Sequence, residues 1–243
     1  IALSISCATL PPPRHNALPA LEAFFHRCEQ DLESAMRVII ERDMIKTLSH
    51  LQRMDGGGRK YYLLERESIT ALILSVTEGV YADFVLTDNR GTVVYTGANN
   101  AIFARNVASM RENALVPALH LPGGAGVRIT GPGEIAGSRG ARYLAVSSPV
   151  SGGDTMPGTF ALLVDAERIA ELAGSDTAVL DSRGYYITAG KSGIINTRHP
   201  AFETIDLGGP DGPDHGRLVG PDGRYAPYRI FRYRNLLWVL LGT

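Results

Sequence analysis

The stretch Tyr81–Gly97, YADFVLTDNRGTVVYTG, determines how the rest of this sequence is interpreted. Two runs rich in β-branched and aromatic residues flank Asp88–Gly91 (DNRG), a tetrapeptide typical of a tight turn whose glycine accepts positive φ. The stretch therefore predicts a β-hairpin. A second stretch, Thr177–Gly190 (TAVLDSRGYYITAG), has the same organisation around Asp181–Gly184 (DSRG). The sequence thus predicts two related modules in tandem.

Composition excludes several classes of function. The chain has 243 residues, 44% of them hydrophobic, which is enough for a sizeable core. Its 24 basic and 25 acidic residues nearly cancel, which argues against binding to nucleic acid or to an anionic membrane surface. The two cysteines, Cys7 and Cys28, fit no metal or haem pattern, and the six histidines are scattered. We therefore expect no metal site and no cofactor.

Residues 1–16 are interpreted as a leader or the remnant of a membrane helix. The first ten, IALSISCATL, could be the outer end of a membrane helix, a processed signal or an unstructured leader. No apolar run in the sequence approaches the roughly 18 residues that span a bilayer.

Apolar residues recur at helical spacing from Asn16 to Met54 and predict a single long helix. Asn16 is its expected N-cap, and Asp55–Gly58 (DGGG) is expected to end it. At 1.5 Å per residue the helix would be about 55 Å long, which suits either a packing helix or a spine that transmits a signal. A second helix is predicted from Arg59 to Val76, with a buried side formed by Tyr62, Leu63, Ile69, Leu72, Ile73 and Val76.

Strand-like runs separated by glycine-rich turns follow the first hairpin. Three are predicted at 127–130, 142–150 and 159–165, and a short helix at 166–173 precedes the second hairpin. Runs at 216–220, 225–231 and 235–241 complete the second module. The fold class is therefore α+β, with a long N-terminal helix followed by two antiparallel five-stranded sheet modules.

Four segments together resemble the double Cache (tandem PAS-like) sensor domains of bacterial chemoreceptors, histidine kinases and cyclic-dinucleotide enzymes. They are DFVLTDNRGTVVYTG (83–97), AVSSPV (145–150), GTFALLVDAERIAEL (158–172) and AVLDSRGYYITAG (178–190). The resemblance implies helices at 17–76, a membrane-distal ligand-binding module at 77–174 and a smaller membrane-proximal module at 175–243.

The resemblance also carries expectations about function. It implies the periplasmic part of an inner-membrane receptor, anchored by flanking membrane helices outside this sequence. A small metabolite would bind the distal module, and the long helix could pair two copies of the chain. The signal would pass to a kinase, chemotaxis or cyclic-dinucleotide output.

Strand alternation independently predicts a ligand-binding face. In the run 142–150, Tyr143 and Ser147 lie opposite the apolar residues, which should pack on the long helix. By the same alternation, Arg128 and Asp165 project away from the apolar sides of their own strands. Arg128, Tyr143, Ser147 and Asp165 are therefore expected to share a face on which a small ligand could bind. Arg128 could hold a carboxylate, and Asp165 could hold an ammonium group.

The resemblance adds Arg105 and Phe103, in the segment after the second strand, to the expected site. Family members that sense amino acids carry a tryptophan in this segment, and this sequence has none there. The ligand is therefore left open between an amino acid, an amine and a short carboxylic acid. Arg128 and Asp165 could instead form a salt bridge or remain solvated, and Tyr143 could be an anchored core residue. Asp88 and Asp181 are interpreted as turn formers.

No enzymatic motif stands out. Residues 56–60 (GGGRK) lack the spacing and hydroxyl residue of a phosphate-binding loop, and neither G-x-S-x-G nor H-E-x-x-H occurs. Residues 152–154 (GGD) are interpreted as a turn between strands. A sensor domain without catalytic activity is therefore expected, and the alternative is an interaction or dimerisation module that binds no metabolite.

Overall fold

In the computed structural model the chain divides into two compact units. The first unit comprises residues 21–169 and 232–236. The second unit comprises residues 17–20, 170–231 and 237–243. The expected leader, the Asn16 N-cap and the turns at 55–57 and 152–154 lie outside the described residues. The structure describes 17–54, 58–110, 116–121, 126–137, 140–151, 156–188, 195–207, 214–219 and 225–242.

The predicted long N-terminal helix is confirmed, but its predicted extent to Met54 is wrong, because the range is divided into two helices. Helix α1 runs over Ala17–Glu41 and helix α2 over Met44–Arg53. Between them Asp43 has a φ of 45°, a left-handed conformation that ends the α-helical path and that aspartate tolerates better than most residues. The apolar spacing continues through this break, so periodicity alone could not reveal it. The residues of α1 that form its buried stripe are Leu21, Phe25, Cys28, Leu32, Ala35 and Ile39.

Helix α3 runs over Gly58–Leu74, close to the predicted range. Tyr62 is buried and donates its hydroxyl hydrogen to the carbonyl oxygen of Thr96. Leu63, predicted to be buried, is 44% exposed because it lies one residue, about 100° around the helix, from Tyr62. The buried stripe therefore passes through Tyr62 and Ile73 and leaves Leu63 in solvent.

The first unit contains an antiparallel sheet of five strands in the order β2-β1-β5-β4-β3. The short helix α4, Val116–Leu119, lies between β2 and β3 in the sequence, and helix α5, Ala166–Ala173, follows β5. The strands are β1 Asp83–Asp88, β2 Val93–Thr96, β3 Arg128–Glu134, β4 Arg142–Val150 and β5 Gly158–Asp165.

The two faces of this sheet have different coverings. On one face Ile45 of α2 lies against Gly158, and Phe84 stacks on Phe160 with ring centroids 6.4 Å apart. Tyr81 packs beside Phe84 and donates its hydroxyl hydrogen to Asp31 of α1 at 2.6 Å. The other face is covered by an apolar cluster that joins sheet residues to the chain after β2. The sheet residues of this cluster are Val85, Val93, Ala145, Ala161 and Leu163, and the later residues include Ile102, Val107, Met110 and Leu119.

The two aspartates that recur in the hairpins form the same turn. Asp88 Oδ1 accepts hydrogen bonds from the amides of Arg90 and Thr92 at 2.9 and 2.8 Å. Asp181 Oδ1 accepts from the amides two and four residues later, both at 2.9 Å. Gly91 and Gly184 take positive φ values of 73° and 88°. These contacts confirm that the aspartates are turn formers.

The second unit contains the second antiparallel sheet, in the order β7-β6-β10-β9-β8. Its core combines strand residues with Phe202 and Ile205, which follow β7 in the sequence. Together with the first sheet this confirms the predicted α+β class and the two five-stranded modules. The strands are β6 Thr177–Leu180, β7 Tyr186–Thr188, β8 His215–Val219, β9 Tyr225–Tyr233 and β10 Leu236–Gly242.

None of the helices within the described ranges is both long and apolar enough to cross a bilayer.

Residues 232–236, at the turn between β9 and β10, belong to the first unit, and Arg234 and Asn235 make hydrogen bonds within it. The Arg234 guanidinium donates two hydrogen bonds to the Glu29 carboxylate, at 2.9 and 2.8 Å. The Asn235 side chain bonds both the amide and the carbonyl group of Ile129, at 2.9 and 2.6 Å. The hydrogen bonds from Arg234 lower the pKa of Glu29 below its usual value.

We expect Glu29→Gln to lower the free energy of unfolding by about 1 kcal/mol at neutral pH, because Arg234 is half exposed and water screens the pair. A carboxyl group whose pKa is lowered by folding stabilises the folded state at pH values above its unfolded pKa, about 4.3. That contribution is lost as the pH falls through the folded pKa. Urea unfolding should therefore show a difference between wild type and Glu29→Gln at pH 7 that disappears in acid. Glu22→Gln, on the exposed side of α1, is the matched control. A difference that persists in acid would contradict the assignment.

Candidate functional site

Four of the residues expected at the site lie on one face of the first sheet. In the strand register Arg128 is opposite Ser147, and Tyr143 is opposite Asp165. Directly paired residues project on the same side of a sheet, and Tyr143 and Ser147 are an even number of residues apart. The face they share is the one covered by the apolar cluster and the chain after β2, since Ala145 lies between them on β4.

Ser147 and Arg128 are linked to each other in a structural contact. Ser147 is completely buried, and its hydroxyl donates to the carbonyl oxygen of Arg128 at 3.3 Å. The Arg128 side chain is exposed. The hydroxyl therefore satisfies a backbone acceptor of the neighbouring strand, and the guanidinium lies in solvent at the outer strand of the sheet.

Arg128 and Asp165 are not brought together. Their partners on β4, Ser147 and Tyr143, are four residues apart, which is about 13 Å along a strand. The two residues also lie on opposite sides of β4. The ammonium and carboxylate groups of an α-amino acid are much closer together than this. The pair therefore cannot hold both ends of one such molecule.

Tyr143 and Asp165 do form a neighbouring pair. The Tyr143 ring is half-buried and packs against the apolar cluster. Burial, followed by the charges of Asp165 and Asp83, raises the pKa of the Tyr143 hydroxyl. Among the residues the structure describes, that hydroxyl has no hydrogen-bond partner. Two carboxyl groups thus create a negative potential beside a phenol that can still donate or accept a hydrogen bond.

Asp165 ends β5 and begins the next helix. One of its oxygens accepts a hydrogen bond from the amide of Glu167 at 3.0 Å, which satisfies a free amide in the first turn of α5. The side chain is exposed. Its second oxygen is therefore accessible to a ligand while the first holds the start of the helix.

Asp83 is a buried residue near this pair that the sequence analysis missed. It begins β1 and is only 6% exposed. Its carboxylate accepts hydrogen bonds from the Thr96 hydroxyl at 2.7 Å and from the amides of Phe84, Ala98 and Asn99 at 2.7, 2.8 and 3.1 Å. Burial raises the pKa of Asp83, although these bonds oppose the shift. The available signal was a charged residue at the head of an otherwise apolar strand.

Asp83 holds the start of the segment that crosses the sheet after β2. The side-chain nitrogen of Asn99, Nδ2, donates a hydrogen bond to the backbone carbonyl oxygen of Ala136 at 2.8 Å, and Ala136 lies on the far side of this face. Ala101 lies against Gly137, and Ile102 enters the apolar cluster. The segment therefore covers the face on which Tyr143 and Asp165 lie.

Phe103 and Arg105, the other two expected residues, lie further along this segment. The Phe103 ring stacks on Tyr62 of α3, with centroids 3.6 Å apart and planes 13° apart. Arg105 is exposed, and its backbone carbonyl accepts a hydrogen bond from the amide of Val93. The structure thus places Phe103 against α3 rather than beside Arg128.

A cavity of about 610 Å³ lies where the helices meet this segment. Its volume is within the usual range for small-molecule sites. Ala104, in its wall, has a positive φ of 64°, which is uncommon for a residue with a side chain. Besides Ala101, the residues that line it are Gln52, Met54, Arg59, Asn100, Phe103 and Ala104.

Within the described ranges, no group of three or more histidine, cysteine, aspartate or glutamate residues is placed to bind a metal ion.

Solved structures of low sequence identity share this architecture. An extracellular ligand binding receptor from Desulfohalobium retbaense matches 93% of this chain with a TM-score of 0.62 and 12% identity, over 38% of its own length. The sensor domain of the Vibrio cholerae histidine kinase DctB matches 93% of this chain, with 94% of its own length, a TM-score of 0.60 and 12% identity. The chain has the double Cache fold.

The sensory domain of the Campylobacter jejuni chemoreceptor Tlp3, solved with isoleucine bound, also shares this architecture. It matches 93% of this chain and 88% of its own length, with a TM-score of 0.55 and 12% identity. No family model and no curated protein matches the sequence. Structural similarity at such low sequence identity establishes the fold alone, and the ligand has to be inferred from the residues of this chain.

Proposed function

We propose that this chain is the extracytoplasmic sensor domain of a membrane receptor and that its first unit binds a small metabolite carrying an amine. The observation that carries the proposal is the pairing of Tyr143 with Asp165 on the covered face of the first sheet. The Asp165 carboxylate would hold the ammonium group, and the Tyr143 hydroxyl would accept its second hydrogen bond. The negative potential from Asp83 adds to the attraction.

The surroundings of the pair suit a small molecule with an apolar part. The Tyr143 ring offers an aromatic face to a cation. Beside it the apolar cluster supplies a wall of buried side chains, Ala145 and Leu163 among them. A few convergent polar groups on apolar walls are the usual composition of a small-molecule site. The remaining residues expected at the site, Arg105, Arg128, Ser147 and Phe103, are not needed for this recognition.

The double Cache fold supports the sensory role, because the matched structures are sensor and ligand-binding domains. The chain spans 38% of the length of the Desulfohalobium receptor. What a complete receptor does is therefore part of this proposal. We propose that membrane helices flank this domain and that the long N-terminal helices of two copies pair. Ligand binding would then bias two arrangements of the domain and alter a kinase, chemotaxis or cyclic-dinucleotide output.

A thermal-shift comparison of propylamine, alanine and propionate tests the proposal, because a ligand of the folded state raises apparent stability by mass action. Propylamine and alanine should raise the melting temperature, and propionate should not. Asp165→Asn should weaken binding about tenfold or more, because the charge-assisted hydrogen bond is lost while asparagine still caps α5. Tyr143→Phe should weaken it less.

Arg128→Gln is the matched control for these variants, because Arg128 is an exposed charge on the same face but far from Asp165. Its binding should equal that of the wild type. Binding of propionate alone, or equal binding by wild type and Asp165→Asn, would contradict an amine site at this position. If none of the three compounds binds, the interaction module without a metabolite becomes the better interpretation.

A further inference from the structure

The 610 Å³ cavity beside α3 is lined by a cationic side chain. Arg59 is the charged side chain among the described residues that line it, and those described residues include no carboxylate. Arg59 also lies in the first turn of α3, a helix of 17 residues. The dipole of this helix adds to the positive potential at its N-terminus. An anion is therefore the favoured occupant of this cavity.

The Asn100 side chain presents a hydrogen-bond donor here. The Arg66 guanidinium, which can only donate, bonds the Asn100 Oδ1 atom at 2.8 Å. This contact fixes which end of the amide is oxygen. The Asn100 Nδ2 group carries no hydrogen bond within the described part of the chain and belongs to a residue that lines the cavity. Asn100 and Arg59 can thus donate together to one carboxylate.

One wall of the cavity is a flat aromatic surface. Tyr62 supports the Phe103 ring from one side, in near-parallel stacking at 3.6 Å between centroids. Tyr62 is itself buried and anchored by its bond to Thr96, so the Phe103 ring is held in place. Phe103 is half-buried and lines the cavity. A planar ligand can pack against such a surface with little loss of side-chain entropy.

We propose that this cavity is a second binding site of the first unit and that it takes a small planar carboxylate, such as an aromatic acid. Arg59 and Asn100 bind the carboxylate, and the ring of the ligand packs on Phe103. The site is built from α2, α3 and the outer side of the segment after β2, whereas the proposed amine site lies on the covered face of the sheet. Binding in this cavity does not depend on the amine site.

Benzoate titrated calorimetrically into the purified chain tests this inference, with benzamide as the uncharged probe of the same shape. Benzoate should bind saturably, and benzamide should bind at least tenfold more weakly. Arg59→Gln keeps good helix propensity and should weaken benzoate binding about tenfold. Lys60→Gln removes the neighbouring exposed cation, which does not line the cavity, and should leave the affinity unchanged. Phe103→Leu should weaken binding through loss of the aromatic surface.

Equal affinity of benzoate for wild type and Arg59→Gln would overturn the inference, as would equal binding of benzamide and benzoate. Absence of saturable binding up to about 10 mM, where a useful site would be occupied, would also overturn it. The Asp165→Asn variant separates the two proposals. Benzoate binding should survive in it, and amine binding should survive in Arg59→Gln. Loss of benzoate binding in Asp165→Asn alone would place the acid on the sheet face instead.

Discussion

Gly158→Ala is expected to destabilise the first unit by about 3 kcal/mol or more, equivalent to a fall in melting temperature of about 6 °C or more. A Cβ atom at Gly158 would overlap the backbone carbonyl oxygen of Thr87 on the neighbouring strand. A backbone atom cannot avoid the clash by changing rotamer, so the pairing of β1 with β5 would have to shift. Ile45 of α2 lies on the same spot and limits the movement.

Gly126→Ala is the matched control, because a Cβ atom there would meet nothing within 4 Å in the part of the chain that the structure describes. Its free energy of unfolding should stay within about 0.5 kcal/mol of the wild type. Chemical denaturation of the three proteins, monitored by circular dichroism, measures both effects. Similar stabilities for Gly158→Ala and Gly126→Ala would show that β1 and β5 do not approach as closely as described.

Asp83→Ala is expected to cost roughly 3–5 kcal/mol. The substitution leaves the Thr96 hydroxyl and the amides of Phe84, Ala98 and Asn99 without the acceptor that they share. These groups hold the start of the segment that covers the sheet. Local unfolding of this segment should therefore accompany the loss of stability, and hydrogen exchange of the Ala98 and Asn99 amides would detect it.

Asp83→Asn should be milder, because an asparagine oxygen replaces part of the acceptor capacity. The two proteins should also differ in their pH dependence. Burial raises the pKa of Asp83, so the stabilising contribution of this group is complete below its unfolded pKa of about 3.9 and decreases as the pH rises through the folded pKa. The stability of wild type relative to Asp83→Asn should thus be greatest in acid. An advantage of wild type that instead grows toward neutral pH would contradict the burial of this carboxyl.

The hairpin turns could be predicted because their causes are local. Asp88 and Asp181 bond amides only two and four residues away, and Gly91 and Gly184 take the positive φ that the turn requires. The strands around them alternate or run apolar in the usual way, so their type and approximate bounds could also be predicted. Asp43 shows the limit. Its left-handed conformation divides the helix, but an apolar stripe that continues on both sides conceals the division.

The candidate site could be predicted only in part. Alternation along each strand correctly places Tyr143 and Ser147 on one face, but it contains no information on how far apart residues of different strands lie. The register of β3, β4 and β5 separates Arg128 from Asp165. The resemblance predicts Phe103 in the ligand site on the sheet, but its ring stacks on Tyr62 of α3. That contact joins segments that are distant in sequence.

The sequence by itself determined the α+β class, the tandem modules, the turn aspartates and most strands, because these depend on residues close together in the chain. The tertiary structure decided that Asp83 is buried and accepts four hydrogen bonds, and that Gly158 must lack a side chain. It also decided that Arg59, Asn100 and Phe103 line one cavity. The physical reason is that burial, close packing and electrostatic potential arise from contacts between distant segments, which no local pattern encodes.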